Sequence, residues 1–187
     1  MKIITSISVV IFFLVCNKTF QENKIEDIIQ DNKLLWGIDN YVIEDQHYFD
    51  LKINHCFKDV VKETVGSPIT YFLYKEGMCK CIIEEIKFKD SESLNLAYSA
   101  LNEEANAVRT GPRSKFGQVC FELREAQFYY VLRDGNSLYL FSDADSYNYK
   151  YNGGNDSNDA IIKRDQRGVN ELIFDDIYKT IQRQLEK

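Results

Sequence analysis

The sequence is poor in the side chains and motifs on which most enzymes depend. Histidine occurs only twice, as His47 and His55. There is no Gly-x-Ser-x-Gly nucleophile elbow, no glycine-rich phosphate loop ahead of a helix, and no His-Glu-x-x-His metal-binding motif. The sequence therefore names no reaction, and a non-catalytic role is the first hypothesis.

Clusters of basic residues are missing as well. The 187 residues include 23 Lys and Arg against 29 Asp and Glu, for a net charge of −6, and no basic run exceeds Lys163-Arg164. Proteins that bind nucleic acid or anionic lipid need such clusters. We therefore do not expect nucleic acid as a partner.

The apolar run at the N-terminus is too short to cross a membrane as a helix. Ile3–Val15 has thirteen uncharged residues after Lys2, whereas a spanning helix needs about 20. A positive start followed by a short apolar run is typical of a secretory signal. We predict a signal peptide at 1–21, cleaved between 16 and 21, and a periplasmic, extracellular or otherwise envelope-located protein.

Two interpretations of the end of this signal lead to different locations. Leu14-Val15-Cys16-Asn17 resembles the end of a bacterial lipoprotein signal, in which the cysteine becomes the lipidated first residue. Val15 stands where such signals usually carry Gly, Ala or Ser. The other interpretation, which we favour, is a soluble secreted protein. A lipid on Cys16 is the only membrane attachment that we expect, and an uncleaved helix in a cytosolic core is the third alternative.

Removal of the signal makes the rest of the chain more acidic. Loss of Lys2 and Lys18 leaves 21 basic against 29 acidic side chains, a net charge of −8. About 165 residues remain, which suits one domain with its own hydrophobic core. We predict a single domain over 22–187.

Four cysteines remain after the signal, and an even number in an exported chain is compatible with two disulfides. A bond between Cys79 and Cys81 is disfavoured, because residues two apart on a strand point the same way. Cys56 would then pair with one of them and Cys120 with the other. The alternative is four buried thiols.

The same region offers soft metal ligands. Cys56, Cys79 and Cys81, beside His55, could hold zinc or copper(I), but the spacing differs from that of common zinc sites. We therefore predict no cofactor and keep a soft-metal binder as an alternative.

Hydrophobic periodicity predicts an α+β fold. Helical spacing marks three segments: 22–35, a helix that begins near Asp90-Ser91 and is ended by Thr110-Gly111-Pro112, and 169–185. Alternation and turn signals mark six strand segments. The first runs from Tyr41 onward, with its alternation between Phe49 and Phe57, and the others are 69–74, 78–88, 119–124, 128–132 and 137–141. The order predicts a single antiparallel sheet of five or six strands packed against two or three helices, as a two-layer sandwich.

The segment 142–160 has the composition of an exposed acidic loop. Its carboxylates do not fit the helix-flanked calcium loop. Tyr147, Tyr149 and Tyr151 alternate along it and could form an aromatic edge for a peptide or sugar. A further strand that covers the sheet is the alternative that we favour.

The sequence therefore predicts an exported binding or interaction domain whose partner is a protein, a peptide or a small ligand. The second hypothesis is a small hydrolase that uses His55 or strand carboxylates, for which Glu84, Glu85 and Glu122 are candidates.

Overall fold

The computed structural model describes residues 24–49, 57–110, 128–144 and 173–187, with backbone only at 107–110. The chain divides into two compact units, Met1–Asp31 and Asn32–Lys187. Helix α1 is Lys24–Asn32, and its buried side chains are Ile25, Ile28 and Ile29, the residues that the helical spacing selects. The predicted boundary between a signal at 1–21 and a domain at 22–187 stays a prediction.

Five strands form one sheet in the second unit. They are β1 (Asn40–Glu44), β2 (Ile69–Lys75), β3 (Met78–Lys87), β4 (Tyr130–Asp134) and β5 (Ser137–Ser142). Their order is β1-β2-β3-β5-β4, and every neighbouring pair is antiparallel. The predicted α+β fold with a single antiparallel sheet is thus confirmed.

Two hairpins, β2–β3 and β4–β5, form where the turn residues suit them. The β2–β3 turn places Glu76 and Gly77 at φ of 53° and 74°, the left-handed conformation that two-residue hairpins require. Gly135, at φ 55°, opens the β4–β5 turn. The strand predicted from Tyr41 onward is present only as Asn40–Glu44, and Phe49 and Phe57, where its alternation was expected, lie outside any strand. Residues 50–56 and the predicted strand at 119–124 lie outside the described residues.

Helix α2 (Ser91–Thr110) covers one face of the sheet. It begins where predicted, since the Ser93 N–H donates to Asp90 Oδ1 at 2.8 Å and so caps the first turn. Its buried side is Leu94, Ala97, Leu101 and Ala105, and these pack in one core cluster with Val131 of β4 and Leu138 and Leu140 of β5.

Helix α3 (residues 173–185) covers the other face. The ring of Tyr178 stacks on Tyr130 with centroids 3.9 Å apart and meets Phe141 edge-on at 5.5 Å. Tyr130 and Phe141 are direct neighbours of Val131 and Leu140, which contact α2, so they point to the opposite face. β4 and β5 therefore contact a helix on each face.

Among the described helices, none combines the length and the apolar character that a bilayer crossing requires.

Candidate functional site

Several sequence-predicted site residues lie outside the described part of the chain. These are Cys16, His55, Cys56, Cys120, Glu122, Tyr147, Tyr149 and Tyr151. The lipid anchor, the disulfides, the tyrosine-bearing loop and a role for His55 therefore stay predictions.

A β-bulge in β3 separates the two described cysteines. Cys79 lies opposite Tyr74, and Cys81 lies opposite Leu73, so Lys80 is an extra residue on β3. Because Leu73 and Tyr74 are consecutive, they and their partners face opposite sides of the sheet. The simple alternation that we expected would have placed both thiols on one side. Their actual placement does not favour a metal ion shared by the two sulfurs.

Both cysteines are buried thiols. Burial raises the pKa of Cys79 from 9.0 to about 12 and that of Cys81 well above 9.0. The thiolate is the reactive and metal-ligating form, so both groups are held in their inert form. The described residues contain no disulfide, and they hold no group of three or more His, Cys, Asp or Glu suited to a metal ion.

Glu84, at the middle of β3, is 0 % exposed and fastens the segment that follows β1. Its Oε2 accepts the backbone N–H of Tyr48 at 2.7 Å and of Phe49 at 2.8 Å, and its Oε1 lies 3.3 Å from Nδ1 of His47. We call this group, Glu84 with residues 47–49, the Glu84 clamp. It holds the chain just beyond β1 against the central strand.

The Glu84 clamp also has the form of half a catalytic triad. An ionised carboxylate only accepts hydrogen bonds, so Nδ1 of His47 is then the donor and Nε2 is left for another partner. The His47 side chain is 25 % exposed. Within the described contacts, no serine, threonine or cysteine bonds to this ring.

Glu85 lies next to Glu84 and therefore faces the other side of the sheet. Its Oε1 accepts a hydrogen bond from Ser137 Oγ at 2.8 Å and lies 3.8 Å from Lys87 Nζ. A glycosidase needs two carboxyl groups in one cleft. Glu84 and Glu85 do not meet that requirement as a pair.

Exposed apolar side chains gather instead at β1, one edge of the sheet. Val42 and Ile43 are 39 % and 38 % exposed. They are consecutive, so one borders each face of the sheet. Both sides of this edge are therefore apolar and open to solvent.

The turn that leads into β1 adds to this surface. Leu34 and Leu35 are 84 % and 80 % exposed. The Lys33 Nζ lies 5.9 Å from the ring centroid of Tyr41, which places the turn beside the start of β1. Gly37, at φ 65°, turns the chain between them. We call Leu34, Leu35, Val42 and Ile43 the apolar edge.

The strand at the opposite end of the described sheet is better protected. On β4, Val131 is 3 % exposed. The Arg133 guanidinium lies 4.5 Å from the Tyr98 ring centroid and hydrogen-bonds Asn95 Oδ1 of α2. Charged side chains and covering helices are the usual means by which proteins shield an edge strand. The apolar edge at β1 lacks this protection among the described elements.

Acidic residues border the apolar edge at both ends. Asp39 precedes β1, Glu44 is its last residue, and Asp45 follows it. Asp39 and Asp45 are exposed, and Asp39 Oδ2 also accepts the Glu76 N–H at 2.6 Å. The surface is thus apolar at its centre and negative at its ends.

Comparison with known proteins finds no family model, no curated protein and no solved structure that matches the chain. The function is therefore inferred from the geometry of the described residues.

Sequence reasoning missed the apolar edge, although a signal for it was present. Val42 and Ile43 are adjacent in a short strand, so they cannot both face the same covered side. Leu34 and Leu35 were assigned to the end of a helix without regard to their exposure. The Glu84 clamp depends on backbone N–H groups distant in sequence, and no local pattern indicates it.

Proposed function

We propose that this chain is a non-catalytic binding domain that acts outside the cytoplasm and engages a protein or peptide through the apolar edge. The observation that carries the proposal is the exposure of Val42 and Ile43 on the two sides of an edge strand. Exposed apolar surface at a sheet edge is a common recognition surface.

The roles of the buried polar residues support this function. Glu84 accepts two backbone N–H groups, Glu85 accepts from Ser137, and Cys79 and Cys81 are held as neutral thiols. These groups are engaged in holding the fold. The acidic balance and the scattered basic residues argue for a partner other than nucleic acid.

Site-specific photo-crosslinking in the source organism tests the proposal. A crosslinking amino acid replaces Val42 in the full chain, and a matched variant carries it at Leu96, which is apolar and 60 % exposed but lies on α2. We expect a discrete protein adduct at position 42 and none at 96. The crosslinked partner is then purified, and its affinity for the wild type and for Ile43→Asp is measured. The proposal is supported when Ile43→Asp binds the partner at least about tenfold more weakly, a loss of about 1.4 kcal/mol in binding free energy.

Equal adducts at both positions would indicate general stickiness and would refute the proposal. Absence of an adduct at position 42 would do the same.

Hydrolysis is the second candidate, and the His47–Glu84 contact is the observation that favours it. The probe is an activated ester, with turnover measured for the wild type, His47→Gln and His55→Gln. Loss of turnover in His47→Gln alone would support a hydrolase based on the Glu84 clamp, whereas loss in His55→Gln alone would assign the reaction to His55. Equal turnover in all three proteins would exclude both histidines.

A further inference from the structure

We propose that the apolar edge takes an extended, positively ended peptide segment of another protein as an additional strand beside β1. This inference rests on the proposed function and names the chemistry of the partner.

The backbone of β1 provides the first requirement. In an antiparallel ladder, alternate residues direct their N–H and C=O groups away from the neighbouring strand. Among the described strands β1 pairs with β2 alone. Tyr41, Val42 and Ile43 at its centre are strand-forming residues. The outer side of β1 therefore has the form that strand addition uses.

The side chains provide the second requirement. An added strand brings one side chain beside Val42 on one face and the next beside Ile43 on the other, because strand side chains alternate. Apolar residues at consecutive positions of the incoming segment therefore cover both. Leu34 and Leu35 offer further apolar surface near the start of β1.

The charges decide between a foreign segment and a second copy of this chain. Two copies of β1 pair over all five residues only when an antiparallel dimer is centred on Val42. In that register Asp39 of each copy lies opposite Asp45 of the other copy, so the dimer contains two such acidic pairs. Like charges directly opposite each other destabilise a strand pair. A segment with Lys or Arg at those two positions instead gains an ion pair at each end.

Synthetic peptides test the proposal with the full secreted protein. Three labelled peptides share an alternating apolar and threonine centre. The first has Lys at both ends, the second has Glu at both ends, and the third has the Lys ends with alternate backbone nitrogens methylated. Methylation removes donors along one edge without removing side chains. Binding is measured by fluorescence anisotropy at low salt, and the bound surface is located from amide NMR shifts.

We expect the Lys-ended peptide to bind about tenfold more tightly than the Glu-ended one, since each end changes from attraction to repulsion at an exposed site. The methylated peptide should bind at least about tenfold more weakly than the unmethylated Lys-ended peptide. Asp45→Asn should weaken binding of the Lys-ended peptide about two- to fivefold. The matched control is Asp59→Asn, since Asp59 is also an exposed carboxylate, 73 % accessible and near Lys62. This control should leave the affinity unchanged. The NMR shifts should centre on residues 40–44.

Equal affinity for all three peptides, absence of binding, or shifts centred away from β1 would refute strand addition. A concentration-dependent dimer in sedimentation that Ile43→Asp abolishes would assign the edge to a second copy and also refute it. If the partner crosslinked at position 42 still binds Ile43→Asp more weakly than the wild type while the peptides fail, the proposed binding domain stands and only strand addition is refuted.

Discussion

Glu84 is fully buried and makes three polar contacts. These contacts differ in how much each contributes to the free energy of unfolding. Its Oε2 satisfies two backbone N–H groups at 2.7 and 2.8 Å, while the His47 contact is longer, at 3.3 Å, and partly exposed. Leaving a buried polar group unsatisfied costs about 1–3 kcal/mol, whereas a single hydrogen bond contributes about 0.5–1.5 kcal/mol, and less when it is long and partly exposed. The backbone contacts therefore dominate the stability that this residue provides.

We predict that Glu84→Leu, which removes both acceptor oxygens and leaves two backbone N–H groups unsatisfied, lowers the free energy of unfolding by about 1–3 kcal/mol. His47→Gln should lower it by about 1 kcal/mol or less. Chemical denaturation of both variants and the wild type measures the difference. A larger loss for His47→Gln than for Glu84→Leu would show that the His47 contact, not the backbone contacts, provides most of the stability of the Glu84 clamp.

The raised pKa of Cys79 predicts that the folded state loses stability at alkaline pH. Burial raises its pKa from 9.0 to about 12, so between these values the folded protein keeps a proton that the unfolded chain releases. Unfolding is then favoured as the pH rises, and this residue contributes a slope of about −1.4 kcal/mol per pH unit. Below pH 9 its contribution is constant.

We expect urea unfolding of reduced protein to show a shallower alkaline decline in Cys79→Ala than in the wild type. Cys81 and Tyr139, whose pKa values burial also raises, preserve part of the decline in the variant. Identical slopes in the two proteins would mean that Cys79 is not protected from solvent.

At this scale the sequence could identify Glu84, Glu85 and the cysteines as candidates but not their roles. The run Ile82-Ile83-Glu84-Glu85-Ile86 reads as a strand with solvated charges. Its position at the centre of a sheet covered on both faces is what buries both carboxylates, and that position depends on distant segments.

Among the elements, α2 shows a local signal that the structure confirms. Asp90 accepts the Ser93 N–H at 2.8 Å, and this hydrogen bond is the main reason that the pKa of Asp90 lies below 3.8. A lowered pKa means that the charge stabilises the folded state above pH 3.8 and that this gain is lost as the pH falls through the folded-state pKa.

We predict that Asp90→Ala lowers the thermal midpoint at neutral pH. Asp90→Asn should retain most of it, because asparagine also caps helices. The asparagine variant should also lack the part of the acid-induced decline that Asp90 causes. Calorimetry from neutral to acidic pH measures both effects, and an unchanged midpoint in Asp90→Ala would exclude the cap as a stabilising contact.

Helix α3 is held by aromatic contacts with the face opposite to α2. Tyr178→Ala removes the stacking with Tyr130 and the edge contact with Phe141, and we expect it to cost about 1–3 kcal/mol. Hydrogen exchange should then become faster in 173–185 while α2 keeps its protection. Tyr178→Phe, which retains the ring, is the matched control. Equal acceleration in both helices would contradict independent attachment of α3.

The hairpins and α2 were predictable because their signals are local: turn glycines, a capping carboxylate and apolar spacing. The pairing of β3 with β5 brings together segments about fifty residues apart, and no local pattern specifies it. In α3 the helical spacing located both the element and its buried side chains Ile177, Ile181 and Leu185. Phe174 is buried as well, whereas Ile173 is half-buried.

For the whole molecule, export makes a prediction that mass spectrometry can check. Intact, unreduced protein from the source organism should lack Met1 and begin between 17 and 22, or begin at Cys16 with added acyl mass. The same spectrum counts cystines, because each lowers the mass by two hydrogens. Recovery of the full-length, unmodified chain would refute the signal and remove the basis for an exported role.

The described strands also set the stoichiometry of any complex formed at β1. Among the described strands, β4 packs against α2 and carries Arg133, whereas β1 exposes Val42 and Ile43, so we expect a guest strand at β1 rather than at β4. An array built by successive strand pairing needs two accessible borders on each member, so this protein would end such an array. Its complexes would be one-to-one and would saturate, a property suited to capturing or blocking a partner and unsuited to building a fibre.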